Sequence, residues 1–329
     1  MKVVITGGAG FLGQRLIRAL CARGVLADAA GQQREIEQIV SIDAQQSHPL
    51  FVDERVGYVA GDIGTPHLVN HVLGTDTDSV FHLAAVVSGA AEADFNLGMR
   101  VNLDATRALL EVCRHQARPP KLVFASSVAV FGGALPAVVH DATSPTPVAS
   151  YGVQKLIGEL LVGEYGRKGF VDGRAVRLPT IVVRPGKPNA AASSFASGII
   201  REPLAGEAAV CPVEPDTPLW ILSPARATEA LVHTHELASA LWQQSGGGRA
   251  LNLPGLTVTV AEMLQALREV GGEAAAARVT IAPDARIKAI VQSWPARFDT
   301  ARADALGFAR DTDFASIVRA HVQAMGATQ

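Results

Sequence analysis

Cysteine is scarce in this 329-residue chain: Cys21, Cys113 and Cys211 lie far apart and form no CxxC pair. A disulfide framework is thereby excluded, and the three read as reduced, buried thiols of a cytoplasmic protein. Basic runs are missing too. Lys and Arg total 29 against 31 Asp and Glu, a net charge of -2, so neither nucleic acid nor an anionic membrane is an expected partner. No stretch approaches 18 consecutive apolar residues, which excludes a transmembrane helix. The apolar start is split at once by Gly7, Gly8, Gly10 and Gly13, so it does not read as a signal peptide. Repeats and low-complexity tracts are lacking as well. What is present is 48% hydrophobic against 18% charged residues, the balance of a compact enzyme-sized protein. A chain of this length buries roughly three quarters of its unfolded surface. It is long enough for about two domains, or one α/β unit with an appendage.

Short runs rich in Val and Ile alternate with helical patterns. KVVIT (2–6), IEQIVSID (36–43), VGYVAGD (56–62), SVFHLAA (79–85), KLVFASS (121–127) and RAVRLPTIVV (174–183) read as strands. Residues 14–24, 102–115 and 150–168 read as helices, and 27–35 as a loop. Such alternation predicts a parallel sheet covered on both faces. Beyond residue 185 closely spaced prolines break the chain into short pieces, the pattern of a smaller, loop-rich domain.

GGAGFLG places Gly7, Gly10 and Gly13 between the first strand and the first helix. A tight turn and close backbone approach to a pyrophosphate require residues without a Cβ. The phosphates then sit on the helix N-terminus, where free N–H groups and the dipole favour negative charge. Phe11 and Leu12, within the same turn, belong to the expected cofactor set. Asp43 ends the second strand, where a carboxylate accepts from both adenosine ribose hydroxyls and repels a 2′-phosphate, so NAD is expected over NADP. Asp62, followed by Ile63, ends the third strand and is placed to cap the adenine edge. The fold expected is a Rossmann-type doubly wound α/β sheet with a smaller C-terminal substrate domain. Residues 1–178 would form the NAD-binding domain, with a return segment at 219–250. Residues 179–218 and 251–329 would form the substrate domain.

Tyr151 and Lys155, four apart at the head of the long helix, project from one face. An ammonium beside a phenol stabilises the phenolate and brings it toward the working range of a general base. Ser126 and Ser127 end a parallel strand, where ligands bind in such sheets. A serine hydroxyl there could hold the substrate oxygen while Tyr151 takes its proton.

With these residues in view the chain resembles the extended short-chain dehydrogenase/reductases, the NAD-dependent epimerase/dehydratase group. The resemblance rests on VVITGGAGFLG, Asp43, Asp62-Ile63, HLAA (82–85), Val101-Asn102, SSVAVFG (126–132), YGVQK (151–155), RLPTIVVRPG and RFDTARADALGF. It implies Ser127 and Tyr151 as catalytic partners and Lys155 on the nicotinamide ribose. Ser126 would lie beside the cofactor, Leu83, Ala84 and Ala85 would line its path, and Asn102 joins the cofactor set.

Departures narrow the activity. Val128 and Ala129 stand where sugar-nucleotide dehydratases of this group carry an Asp-Glu pair. Thr180 replaces the Asn with which epimerases contact a diphosphate, and Glu229 replaces an Arg. In their stead RPGKPN offers Arg184, Lys187 and Asn189, a set suited to a small carboxylate. The segment from Arg177 onward resembles the branch whose members oxidise C2 of a four-carbon sugar acid, D-erythronate, with NAD. Tyr151 would act as base, with Ser88, Ser127, Thr180, Arg184 and Asn189 contacting substrate. The alternatives are a nucleotide-sugar epimerase, a uronate or threonine dehydrogenase, or a catalytically idle NAD-binding regulator.

Three further groups read as structural. His233 and His235 could face one way on a strand, but no metal site is expected, because no Cys accompanies them and the only near acids are Glu229 and Glu236. His82 reads as a hydrogen-bonded core histidine. Trp220, Trp242 and Trp294 read as packing residues. The apolar stripes Leu109, Leu110 and Leu156, Leu160 lie on two helices that pair across a homodimer in relatives, so a homodimer is expected.

Overall fold

The computed structural model describes residues 1–45, 51–186, 191–246 and 250–326. The chain divides into two compact units. One comprises Met1–Val130, Ala149–Arg177 and Thr228–Asn252; the other comprises Phe131–Val148, Leu178–Ala227 and Leu253–Gln329.

The first unit is built on seven strands: β1 (Lys2–Thr6), β2 (Gln38–Asp43), β3 (Val56–Ala60), β4 (Ser79–His82), β5 (Lys121–Ser127), β6 (Asp172–Leu178) and β7 (Leu251–Asn252). Their order in the sheet is β7-β6-β5-β4-β1-β2-β3, with β1 paired in parallel to both β2 and β4. The strand order therefore reverses beside β1, which opens a crevice at the carboxyl ends of the strands. Val3, Val4 and Ile5 are fully buried, as two covered faces demand. Its helices include α1 (Phe11–Arg23), α2 (Pro66–Leu73), α3 (Ser88–Ala93), α4 (Ala105–Arg114), α5 (Ser150–Arg167) and α6 (Pro224–Glu236). Gly158 brings α5 close to the sheet, since a Cβ there would lie 2.6 Å from the Phe124 ring.

The second unit carries a three-stranded sheet of Leu256–Thr259, Pro218–Leu222 and Thr180–Ile181, and a two-stranded one of Ala209–Cys211 and Val279–Ile281. Its own core gathers Val182, Ile199, Ile200, Leu219, Met263 and Ile317.

Several sequence expectations are corrected. The 27–35 loop includes the second arm of a small antiparallel hairpin, Val25–Ala27 against Gln33–Glu35. RAVRLPTIVV is not one strand. Pro179 has no N–H to give a ladder, so β6 ends at Leu178 and Thr180–Ile181 pairs with Pro218–Leu222 instead. For the same reason the return into the first unit starts at Thr228 rather than 219, and 131–148 joins the second unit. A π-helical turn, Met99–Asp104, precedes α4. His233 and His235 lie on α6, not a strand, and residues two apart on a helix do not share a face. His235 is buried, bonded to the Ser79 hydroxyl at 2.8 Å and stacked on Phe81.

Among the described residues, no helix is long and apolar enough to cross a membrane, and no group of three or more His, Cys, Asp or Glu could hold a metal ion. The three cysteines are free and buried.

Candidate active site

β1 delivers the chain to Gly7, whose φ is +72°. A side chain there would be strained, and its Cβ would also meet the Ala84 nitrogen at 2.7 Å. The Gly7 N–H donates to the Ile42 carbonyl at 2.8 Å, so the loop is pinned between the ends of β2 and β4. Gly13 lets α1 start against the loop, because a Cβ would fall 2.4 Å from the Gly7 oxygen. Gly10 caps α1 without a side-chain hydrogen bond, so the cap residue itself takes none of the N–H groups of the first turn. That geometry fits a dinucleotide pyrophosphate. Phe11 and Leu12, half-buried, form the turn itself.

Asp43 at the end of β2 accepts from the Ala9 N–H at 3.0 Å through one oxygen and from Gln45 N–H at 3.1 Å through the other. Each oxygen keeps further acceptor capacity, which suits two ribose hydroxyls. Asp62 accepts from the Gly64 N–H at 2.8 Å and pairs with Arg100. Ile63 packs beneath it in the core. Leu83 and Ala84 donate their N–H groups to the Thr6 carbonyl and hydroxyl at 3.1 and 3.2 Å. Leu83, Ala84 and Ala85 are half-buried, and Ser88 opens α3.

β5 ends at Ser127, whose Oγ accepts from the Ala129 N–H at 3.1 Å. Lys155 is 2% exposed and donates to the Ala125 carbonyl at 2.8 Å. Its ammonium stands 4.7 Å from the Phe124 ring centroid and 5.8 Å from that of Tyr151. Burial pulls the Lys155 pKa down to about 8, with the charge of Glu159 acting in the opposite sense. His82 is sealed between the Thr6 and Thr106 hydroxyls at 2.6 and 2.8 Å. Burial, and the Lys155 charge less strongly, lower its pKa to about 3. It therefore stays neutral.

Two expected cofactor residues are turned elsewhere. The Ser126 hydroxyl donates to Glu159, and that carboxylate takes Arg177 on both oxygens at 2.9 and 2.7 Å. Asn102 closes on Val86 and Gln154. Sequence reading missed Glu159, Arg177 and Gln154. The signal for Glu159 was its place one helical turn after Lys155.

Of the expected substrate residues, Ser88 and Ser127 lie in the first unit with Tyr151, while Thr180 and Arg184 belong to the second. Arg184 N–H donates to the Ser197 hydroxyl at 3.0 Å, and its carbonyl accepts from Arg201 at 2.7 Å. Lys187 and Asn189 fall outside the described residues.

Residues 3–251 match the NAD dependent epimerase/dehydratase family. A D-erythronate dehydrogenase of Cupriavidus necator is 57% identical over 326 residues, covering 99% of each chain. One from Haemophilus influenzae is 44% identical, covering 98% of this chain and 99% of that one. Among solved structures, a nucleoside-diphosphate-sugar epimerase from Agrobacterium tumefaciens superposes with a TM-score of 0.90 at 40% identity. It covers 98% of this chain and 94% of its own. A glycine loop between strand and helix, an acid ending β2 and a buried lysine four residues after a tyrosine thus occur in a chain that belongs to the NAD dependent epimerase/dehydratase family.

Proposed function

We propose that this chain is an NAD-dependent dehydrogenase that oxidises the C2 hydroxyl of D-erythronate to the 2-oxo acid. The observation that carries the reading is 57% identity across essentially the whole chain to a protein named for that activity. Bound NAD supplies the acceptor for the hydride leaving C2. Tyr151 withdraws the hydroxyl proton, Ser127 hydrogen-bonds the same oxygen, and Lys155 holds the phenolate and the nicotinamide ribose. Gly7, Gly10, Phe11, Leu12 and Gly13 take the pyrophosphate, Asp43 the ribose, and Asp62 with Ile63 the adenine edge. Leu83, Ala84 and Ala85 line the path to the nicotinamide. Asn102 and Ser126 serve that path through the groups they bind. Thr180, Arg184 and Asn189, with Ser88, contact the acid. The first unit is then the NAD-binding domain and the second the substrate domain.

An epimerase of nucleotide sugars is the second reading, favoured by the name of the Agrobacterium relative. Purified protein with NAD and a panel of sugar acids separates them. NADH accumulation with D-erythronate is expected. Interconversion of UDP-sugars without net NADH would overturn the dehydrogenase. Tyr151→Phe is expected to bind NAD normally and to lose turnover, while Arg184→Ala raises KM for the acid. Normal turnover in the first, or an unchanged KM in the second, removes that residue from its role.

The partner is a second copy of the chain, met through α5, where Leu160 of the expected stripe is 66% exposed, Leu156 is half-buried, and Val153, outside that stripe, is 41% exposed. Leu109 and Leu110 take no part, being buried in the core. Free buried thiols accord with a cytoplasmic home.

A further inference from the structure

Gln154 lies on α5 beside Lys155, yet it faces away from the sheet chemistry and is 1% exposed. Its Oε1 accepts from Asn102 Nδ2 at 2.7 Å. Its Nε2 is buried with no hydrogen-bond partner. Asn102, carried on the π-helical turn and 2% exposed, clasps one residue of the loop after β4. Its Oδ1 accepts from the Val86 N–H at 2.7 Å, and its Nδ2 donates to the Val86 carbonyl at 3.0 Å. Gly98 leaves the room, since a Cβ there would stand 2.7 Å from the Gln154 nitrogen. At the head of the same helix the Ser150 N–H donates to Glu92 of α3 at 2.9 Å.

A buried amide nitrogen without a partner destabilises a fold. Methionine, of similar length, would fill the same space and remove the unpaired nitrogen, at the cost of the one Asn102 N–H that the glutamine oxygen accepts. Packing therefore does not account for a glutamine here. What it contributes beyond packing is the acceptor oxygen, which completes the second Asn102 N–H and ties the Tyr151–Lys155 turn to Val86 through two carboxamides in series.

We propose that Gln154 is a positioning residue: through Asn102 it locks the helical turn carrying Tyr151 and Lys155 to the Leu83–Val86 stretch. Base and cofactor path then keep one geometry. The inference rests on the reading of Tyr151 as the base. A misplacement of about 1 Å can lower a rate roughly a hundredfold, so a loosened tie is read in the chemical step.

The test compares full-length wild type, Gln154→Met and Gln154→Glu on whichever substrate the wild type turns over, D-erythronate under the reading above. For Gln154→Met one buried unpaired N–H is exchanged for another, so the expected result is a Tm close to that of the wild type and NAD affinity within about twofold. Its kcat should fall by about tenfold, with a larger isotope effect when the oxidised carbon carries deuterium. Gln154→Glu keeps the acceptor oxygen and should retain kcat within about threefold. A merely structural glutamine would move Tm and leave the isotope effect alone. Wild-type kcat and isotope effect in the methionine variant would overturn the proposal, as would a glutamate variant equally slow. Wild type making no NADH with any acid counts against the dehydrogenase reading, and the comparison is then made on the UDP-sugar it interconverts.

Discussion

Lys155 shows how one buried charge can set both the pH range of the chemistry and part of the stability. Its folded pKa of about 8 lies below the ordinary 10.5, chiefly through burial. The charged form is therefore penalised in the fold. That penalty is fully present below pH 8 and is relieved as pH rises from about 8 toward 10.5. Activity should run the other way, because only the ammonium holds a phenolate at Tyr151. The charged and titratable groups around it are Tyr151 and Glu159 on its own helix, with neutral His82 on the facing strand. Arg177 is paired to Glu159. The kcat/KM profile of the free enzyme is expected to fall above about pH 8 while Tm does not. A profile flat to pH 10 would show that Lys155 stays charged or is not needed. The positions of Tyr151, Lys155, Asp43 and the glycines were legible because each sits at a strand end or helix head, which periodicity marks. The targets of Ser126 and Asn102 were not, since a hydroxyl or amide can turn to any neighbour, and the neighbours Glu159, Val86 and Gln154 come from three-dimensional packing.

At the scale of elements, the end of α6 is held by cations that sequence gave no reason to expect inside a core. Arg174 of β6 is fully buried and donates to the carbonyls of Thr234, His235 and Leu237 at 2.6, 3.0 and 2.7 Å. Lys121 of β5 reaches the His235 carbonyl at 3.0 Å. Last-turn carbonyls lack intrahelical donors and carry the negative end of the dipole, so buried positive charge is tolerated there. Asp172 neutralises Arg174 further, at 2.7 Å. Within RAVRL, read only as part of a strand, nothing marks either arginine as a partner for a helix end or for Glu159. Their roles emerge only once α6 and α5 are laid against β6. Arg174→Met would strand the Asp172 carboxylate and three carbonyls, costing about 3–5 kcal/mol. Denaturant unfolding should register that loss, with NAD affinity of the folded fraction unchanged. A cost under about 1 kcal/mol would mean that water replaces the guanidinium.

For the whole molecule, α5 has its polarity reversed relative to an ordinary surface helix. Its buried positions are Gly152, Gln154, Lys155, Gly158, Glu159 and Val162, mostly small or polar because they carry chemistry or allow close approach to β5. Val153 and Leu160, seven residues apart and so on one face, point outward at 41% and 66% exposure. A monomer would leave these two apolar side chains in water on its most function-laden helix. A net charge of only -2 offers little repulsion to keep copies apart. Sequence patterning pointed to this helix but chose Leu109 and Leu110 as the companion stripe, which the core absorbs, because an apolar stripe does not say which of two partners covers it. Leu160→Lys is expected to shift the sedimentation mass from dimer toward monomer. The intramolecular contacts of Tyr151 and Lys155 would remain, so kcat per chain should change less than about threefold if the interface is separate from the chemistry. Sedimentation of the wild type as a monomer at micromolar concentration would dismiss the dimer altogether, and with it the explanation for the outward face of α5.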